Sequence, residues 1–173
     1  MIETLIPDTV KESENRALPF GRYLDEFKVG DEYRHTPGKT ITESDNNLFS
    51  LITMNHHPIH LDKLYAEKSQ HGRILVVGTL VFSLAVGLTV RDVSGKAIAN
   101  LGYDEINHIA PVFVGDTIYA ESKVLDVRLS KSKPDRGLVE VATTVCNQDN
   151  KPVLSFRRTV LVPCKQSRGW LHG

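Results

Sequence analysis

The stretch TMNHHPIHLD, residues 53–62, gathers His56, His57 and His60 around Pro58, with Asp62 directly behind. Imidazoles at this density suit metal binding, general acid–base catalysis or plain turn chemistry. A zinc site takes three or four ligands in an enforced geometry, and a turn carrying Pro58 splays its neighbours. Neither an HExxH pattern nor a spaced cysteine pair accompanies the histidines, so no metal is expected. His56 and His57 lie in a polar turn and read as surface or capping residues. His60 differs, because it stands between Ile59 and Leu61, where the loop returns to the core. A buried imidazole there needs a partner, and a titratable group beside a cavity is a candidate general acid or base.

Such a loop needs a scaffold. The chain has 173 residues, which is one domain with enough length for a real core. Hydrophobic residues make up 40% and charged residues 24%, an ordinary globular balance. Lys+Arg and Asp+Glu both number 21, so bulk charge gives no reason to expect nucleic acid or an anionic membrane as partner. Cys146 and Cys164 form no spaced framework, so no disulfide scaffold is expected. The first residues, MIETLIPDTVKESENR, carry early acids and no apolar core of a secretory signal, so a cytoplasmic protein is expected.

Residues 1–20 read as an irregular lead-in, 21–163 as the domain, and 164–173 as a mobile or dimer-contacting tail. Gly30-Asp31 marks a turn into a first strand. Thr42-Glu43-Ser44-Asp45 is a helix start with acids in its first turn, and Leu48, Phe49, Leu51 and Ile52 are the apolar positions of that short helix. A second short helix is expected over Asp62–Ser69. Ile74–Val90 then runs without a charge between Arg73 and Arg91. It falls short of a membrane span of about 20 residues, and Gly78, Thr79, Ser83, Gly87 and Thr89 dilute it. A helix buried on all sides in a soluble fold is expected there. Four β-rich segments follow: Ala97–Ile106, Thr117–Leu129, Gly137–Asn147 and Val153–Pro163, separated by Gly115-Asp116, KSKPDRG and NQDNKP. This order predicts an α+β fold, an antiparallel sheet wrapped around one long buried helix. Sheet edges and one open face predict a homodimer or a dimer-based oligomer.

Laid without gaps, Asn55, His56, His57, Pro58, Ile59 and His60, with Ala66 and Gly78 in register, resemble the signature of MaoC-like (R)-specific enoyl-CoA hydratases of the hotdog fold. The motif of that family runs Asp-x-Asn-Pro-(Ile/Leu/Val)-His. PVFVGDTIYAESKVL, with Pro111, Gly115 and Asp116, resembles the strand entry of the family, and the likeness runs from about Phe27 to Val162. It implies a single hotdog domain, a CoA thioester as substrate with no cofactor, and reversible hydration of its activated double bond. It also implies His60 as the acid–base residue, and Gly78, opening the long helix, as the backbone N–H donor to a developing enolate oxygen. An unhindered glycine N–H in the field of a helix start suits that task.

The chain departs from the motif at its acid. Asn55 stands where the family has aspartate, and a neutral amide orients a water or a substrate oxygen but takes no proton at ordinary pH. Three alternatives stay open. His60 works alone, an acid such as Glu43 or Asp45 assists, or the chain is a catalytically silent acyl-CoA-binding module. A related hotdog thioesterase fits the His60 register less well. A substrate with a second carboxylate would favour Asn55 over aspartate, with His56, His57 or Arg73 as its positive partner. DVSGKAIANLGYDEI and Asn147-Gln148 resemble the mesaconyl-CoA hydratase (β-methylmalyl-CoA dehydratase) branch, which implies Asn100 and Tyr103 as pocket residues. For the CoA phosphates, Lys131, Lys133, Arg136 and Arg157-Arg158 are the basic candidates. The last two point to opposite faces of a strand, so at most one meets the ligand.

Overall fold

A computed structural model describes residues 20–165. The lead-in and the tail fall outside the described residues, apart from Phe20, Cys164 and Lys165. Five antiparallel strands form one sheet in the order β1-β3-β4-β5-β2: β1 Glu32–Thr40, β2 Ala99–His108, β3 Thr117–Leu129, β4 Arg136–Asn147 and β5 Pro152–Pro163. Helices α1 Glu43–Ile52, α2 Lys63–Glu67 and α3 Gly78–Leu88 all lie between β1 and β2 in the chain. The α+β expectation therefore holds, with each strand close to its expected position.

The turn into β1 uses Gly30, whose φ of 90° is a conformation that disfavours side chains. Thr42 caps α1 as expected: Asp45 N–H donates to Thr42 Oγ1, and Thr42 N–H donates to Asp45 Oδ2. Hydrogen bonds from Lys39 and Thr42 hold the Asp45 carboxyl down at about 2. Asp45 is thus a capping carboxylate and not a spare catalytic acid.

Two expectations need correction. The apolar run Ile74–Val90 is not one helix, because Ile74–Val77 is extended. Leu75 bridges Phe113, and Val76 N–H donates to the Val112 carbonyl at 2.9 Å. Helix α3 begins at Gly78 and is not buried all round: Leu80, Val81 and Ala85 enter the core, while Thr79, Ser83 and Gly87 are exposed. In α1 Phe49 packs against the core, Leu48, Leu51 and Ile52 are exposed, and the polar Asn46 and Ser50 are buried. Among the described residues no helix is long and apolar enough to cross a membrane.

The core has two apolar clusters. One joins α3 to Ile118, Leu154 and Phe156; the other joins Leu24, Phe27 and Val93 to β3, β4 and β5. Polar groups lie buried as well. His35 contacts Asp92 Oδ2 through Nδ1 at 2.9 Å and Ser122 Oγ through Nε2 at 2.8 Å, and Ser122 reaches Thr143 Oγ1. Burial pushes the Asp92 carboxyl up, yet hydrogen bonds from His35 and Arg22 outweigh it and leave it below the ordinary carboxylate value. A depressed carboxylate stabilises the fold above its unfolded pKa, near 3.9, and that contribution is lost as pH falls through the folded value. Asp92→Asn should therefore lower stability at neutral pH and flatten the acid limb of a stability–pH curve. Urea unfolding between neutral pH and about 3 tests this.

Candidate active site

A cavity of about 310 Å³ opens beside the start of α3. His60, His71, Leu75, Gly78, His108 and Pro111 form its working wall, backed by apolar side chains such as Val81 and Val153. His60 and Gly78, far apart in sequence, thus share one space. The short 3₁₀ turn Pro58–His60 delivers His60, with His57 as its cap accepting the Ile59 N–H on Nδ1 at 3.2 Å. His60 Nδ1 stands 2.8 Å from the Leu75 carbonyl oxygen. A carbonyl only accepts, so Nδ1 carries the hydrogen and donates. Nε2 has no hydrogen-bond partner among the described residues and can take or give a proton at the cavity.

The loop and the helix start are fixed to each other by Asn46, which is fully buried in α1. Its Nδ2 donates to the His60 carbonyl at 2.9 Å, and its Oδ1 accepts the Val77 N–H at 3.0 Å. One amide therefore sets the distance between the imidazole and the first turn of α3. That first turn has N–H groups without intrahelical acceptors, Gly78 among them, in the positive end of the helix field. Asn46→Ala should cost about 1–3 kcal/mol, because the Val77 N–H stays buried with no acceptor. Asn46→Asp should also destabilise, since it sets a second acceptor against the His60 carbonyl. Denaturant midpoints of the two variants provide the check.

The other expected site residues are elsewhere. Asn55 is half-buried, donates its backbone N–H to the Ser50 carbonyl at 2.9 Å, and does not line the cavity. His56 is exposed, and the His57 ring packs edge-on against His60 and Tyr65. Arg73 lies over the Phe113 ring at 3.8 Å, in a separate cleft with Glu43, Lys63 and Glu67. Asn100 is exposed on β2. Tyr103 packs on Phe82 and Phe156 rather than on the cavity. Asn147 and Gln148 hold turns: Asn147 Oδ1 accepts from Asp149 and Lys151, and Gln148 ties Asp116 to Thr117. Arg157 and Arg158 do point to opposite faces. Arg157 pairs with Glu105, while Arg158 is fully buried and donates to Thr89 Oγ1 at 2.8 Å. Arg136 pairs with Asp135. Among the described residues no group of three or more His, Cys, Asp and Glu side chains is placed to hold a metal ion.

Three residues of the arrangement escaped the sequence reading: Asn46, His71 and His108. Asn46 sat in a helix read by its apolar positions. His108 is the last residue of β2, and its ring lies directly against Gly78. A methyl built on Gly78 would stand 2.9 Å from His108 Cε1. Along the chain nothing but the nearby Pro111 sets His108 apart, and only the fold places it opposite Gly78.

Residues 26–147 match the MaoC like domain family. The chain is 32% identical over 142 residues to a mesaconyl-CoA hydratase of Cereibacter sphaeroides, covering 82% of this chain and 41% of that protein. The chain thus spans about two fifths of that curated relative's length. Among solved structures, a MaoC-like dehydratase from Rhodospirillum rubrum superimposes with a TM-score of 0.74 at 26% identity, over 84% of this chain and 99% of that one. A Mycobacterium tuberculosis protein described as having a double hotdog fold gives a TM-score of 0.77 at 26% identity. That match covers 88% of this chain and 47% of the other.

Proposed function

Because the chain belongs to the MaoC-like domain family, whose hotdog fold it shares, we propose that it is a hydro-lyase that reversibly adds water to an enoyl-CoA thioester. The observation that carries this reading is His60, locked by Nδ1 on the Leu75 carbonyl, with Nε2 free at a cavity whose wall includes the first residue of α3. Thioester conjugation makes the β-carbon of the substrate electrophilic. Nε2 takes a proton from water as the water oxygen bonds to that carbon, and electron density moves to the thioester oxygen. The Gly78 N–H is the donor to that oxygen, in the favourable field of the α3 N-terminus. The CoA thioester is the substrate and water the second reactant, so this chemistry calls on no resident cofactor.

Mesaconyl-CoA is the first substrate to try. Among the described residues the cavity wall carries three imidazoles and no carboxylate, which does not repel an acyl group with a second carboxylate. The name of the Cereibacter relative points the same way. Loss of enoyl-thioester absorbance on adding the protein to mesaconyl-CoA or crotonyl-CoA is the direct assay, and no turnover of either would remove the hydratase reading. The neutral Asn55 favours a second reading, acyl-CoA binding without turnover. Under that reading the protein binds both thioesters and leaves the absorbance unchanged.

Assembly is part of the proposal. Among the described residues β2 pairs only with β5 and is an edge strand, and Leu101 and Ile106 on it are exposed apolar residues. Edge-to-edge pairing of two β2 strands would cover them and continue the sheet. Light scattering should then give about twice the 19.3 kDa chain mass. Ile106→Lys should shift the protein toward the monomer.

A further inference from the structure

Hydration moves two protons, and His60 accounts for one. Water gives up a proton as its oxygen bonds to the β-carbon, and the enolate then needs a proton at its α-carbon. The family motif assigns an acid to that pair, but here the position is Asn55, which has no proton to give and does not line the cavity. The titratable side chains that do line it are His60, His71 and His108. His71 is engaged elsewhere: its ring packs edge-on against Phe113, and its Nε2 lies 3.3 Å from the Gln70 amide nitrogen. His108 is different on each count. Neither of its ring nitrogens has a hydrogen-bond partner among the described residues. Its ring rests on the residue that offers the N–H to the thioester oxygen, with both nitrogens within 3.3 Å of where a Gly78 Cβ would be.

The backbone places it there by an irregularity. The pairing of β2 with β5 shifts register between Asp104 and Asn107, and Glu105 within that step has φ 51°. Such a bulge re-aims the side chains that follow, and His108 is the next residue after the resumed pairing at Asn107. A glycine at 78 then does two things. It exposes an N–H to the substrate, and it leaves room for an imidazole flat against it.

Resting on the hydratase reading above, we propose that His108 is the second acid–base residue of this site and delivers the α-proton that the missing carboxylate would otherwise handle. The cycle balances. Neutral His60 takes a proton from water as the C–O bond forms at the β-carbon. Protonated His108 gives its proton to the α-carbon as the enolate collapses to the thioester. Solvent then carries the proton from His60 back to His108. Dehydration runs the same steps in reverse, with His108 as the base at the α-carbon.

Crotonyl-CoA hydration by wild type, His108→Gln and His108→Ala tests this. Glutamine keeps polarity and size without a proton to transfer, and the His108 ring makes no hydrogen bond among the described residues, so neither variant breaks a bond the fold uses and both should fold. The expected result is a fall in kcat of about 100-fold for both, KM little changed, loss of the high-pH limb of the kcat profile, and partial restoration of His108→Ala by added imidazole. Wild-type kcat in His108→Gln, or a loss in His108→Ala that imidazole does not restore with the pH profile unmoved, overturns the acid role alone. If the wild type itself hydrates neither crotonyl-CoA nor mesaconyl-CoA, the hydratase reading fails and the acid role goes with it.

Discussion

His60→Ala should lower kcat/KM for enoyl-CoA hydration by about 10²–10⁴-fold, the range expected on deleting a positioned general acid–base. The loss should sit in kcat, because the imidazole acts on water in the transition state and is not a main source of substrate binding. His60→Asn makes the sharper test. The asparagine Nδ2 overlays the imidazole Nδ1 and keeps a donor for the Leu75 carbonyl, which His60 now holds at 2.8 Å, so the loop should keep its geometry. Asparagine cannot take a proton, and its activity should match alanine rather than wild type. If His60→Asn keeps most of the activity, the imidazole only positions the loop and takes no proton from water. Acyl-CoA affinity that survives both substitutions would show that the cavity still forms.

The architecture was legible wherever local chemistry and the final environment agreed. The Thr42 and Asp45 capping box, the Pro58 turn and the strands over 117–163 all rest on short-range signals. His60 and Gly78 were legible too, through motif register, and the cavity brings them together. Errors arose where the decisive contact was distant. Periodicity cannot separate a short buried extended segment from a helix within an apolar run, so Ile74–Val77 was absorbed into α3. It is the Val112 carbonyl and the Phe113 bridge that hold that segment extended.

The buried polar residues of α1 have the same origin. Apolar residues ordinarily mark the inward side, but Asn46 is tolerated in full burial because both its donor and its acceptor are used. Nothing within α1 itself reveals partners at His60 and Val77. His108 was illegible for a related reason. Its position depends on the β2–β5 register and on a bulge, both of which are pairings across the sheet. Asn55 is the opposite case, since the motif flagged it and the fold set it outside the cavity.

Gly78→Ala should cost activity without costing stability, a combination that packing damage alone does not produce. The backbone of Gly78 is not in the positive-φ region, so alanine fits its conformation. In a helix interior that exchange gains roughly 0.5–1 kcal/mol, and at the first helical position, where Gly78 stands, the gain is smaller. The built methyl lies 2.9 Å from His108 Cε1 and 3.2 Å from Nε2, contacts too close to keep. They are made to the end of a side chain that has no hydrogen bond among the described residues, so the ring can swing away and the fold should survive. Catalysis should not survive as well. The same methyl crowds the approach of a thioester carbonyl to the Gly78 N–H, and loss of one such donor costs about 10²–10³ in kcat. Displacing His108 removes the proposed α-proton donor at the same time. Thermal unfolding should therefore show a melting temperature equal to or above wild type, while crotonyl-CoA turnover falls at least a hundredfold. A stable Gly78→Ala protein with wild-type kcat would place the oxyanion donor elsewhere and leave the glycine as a packing residue.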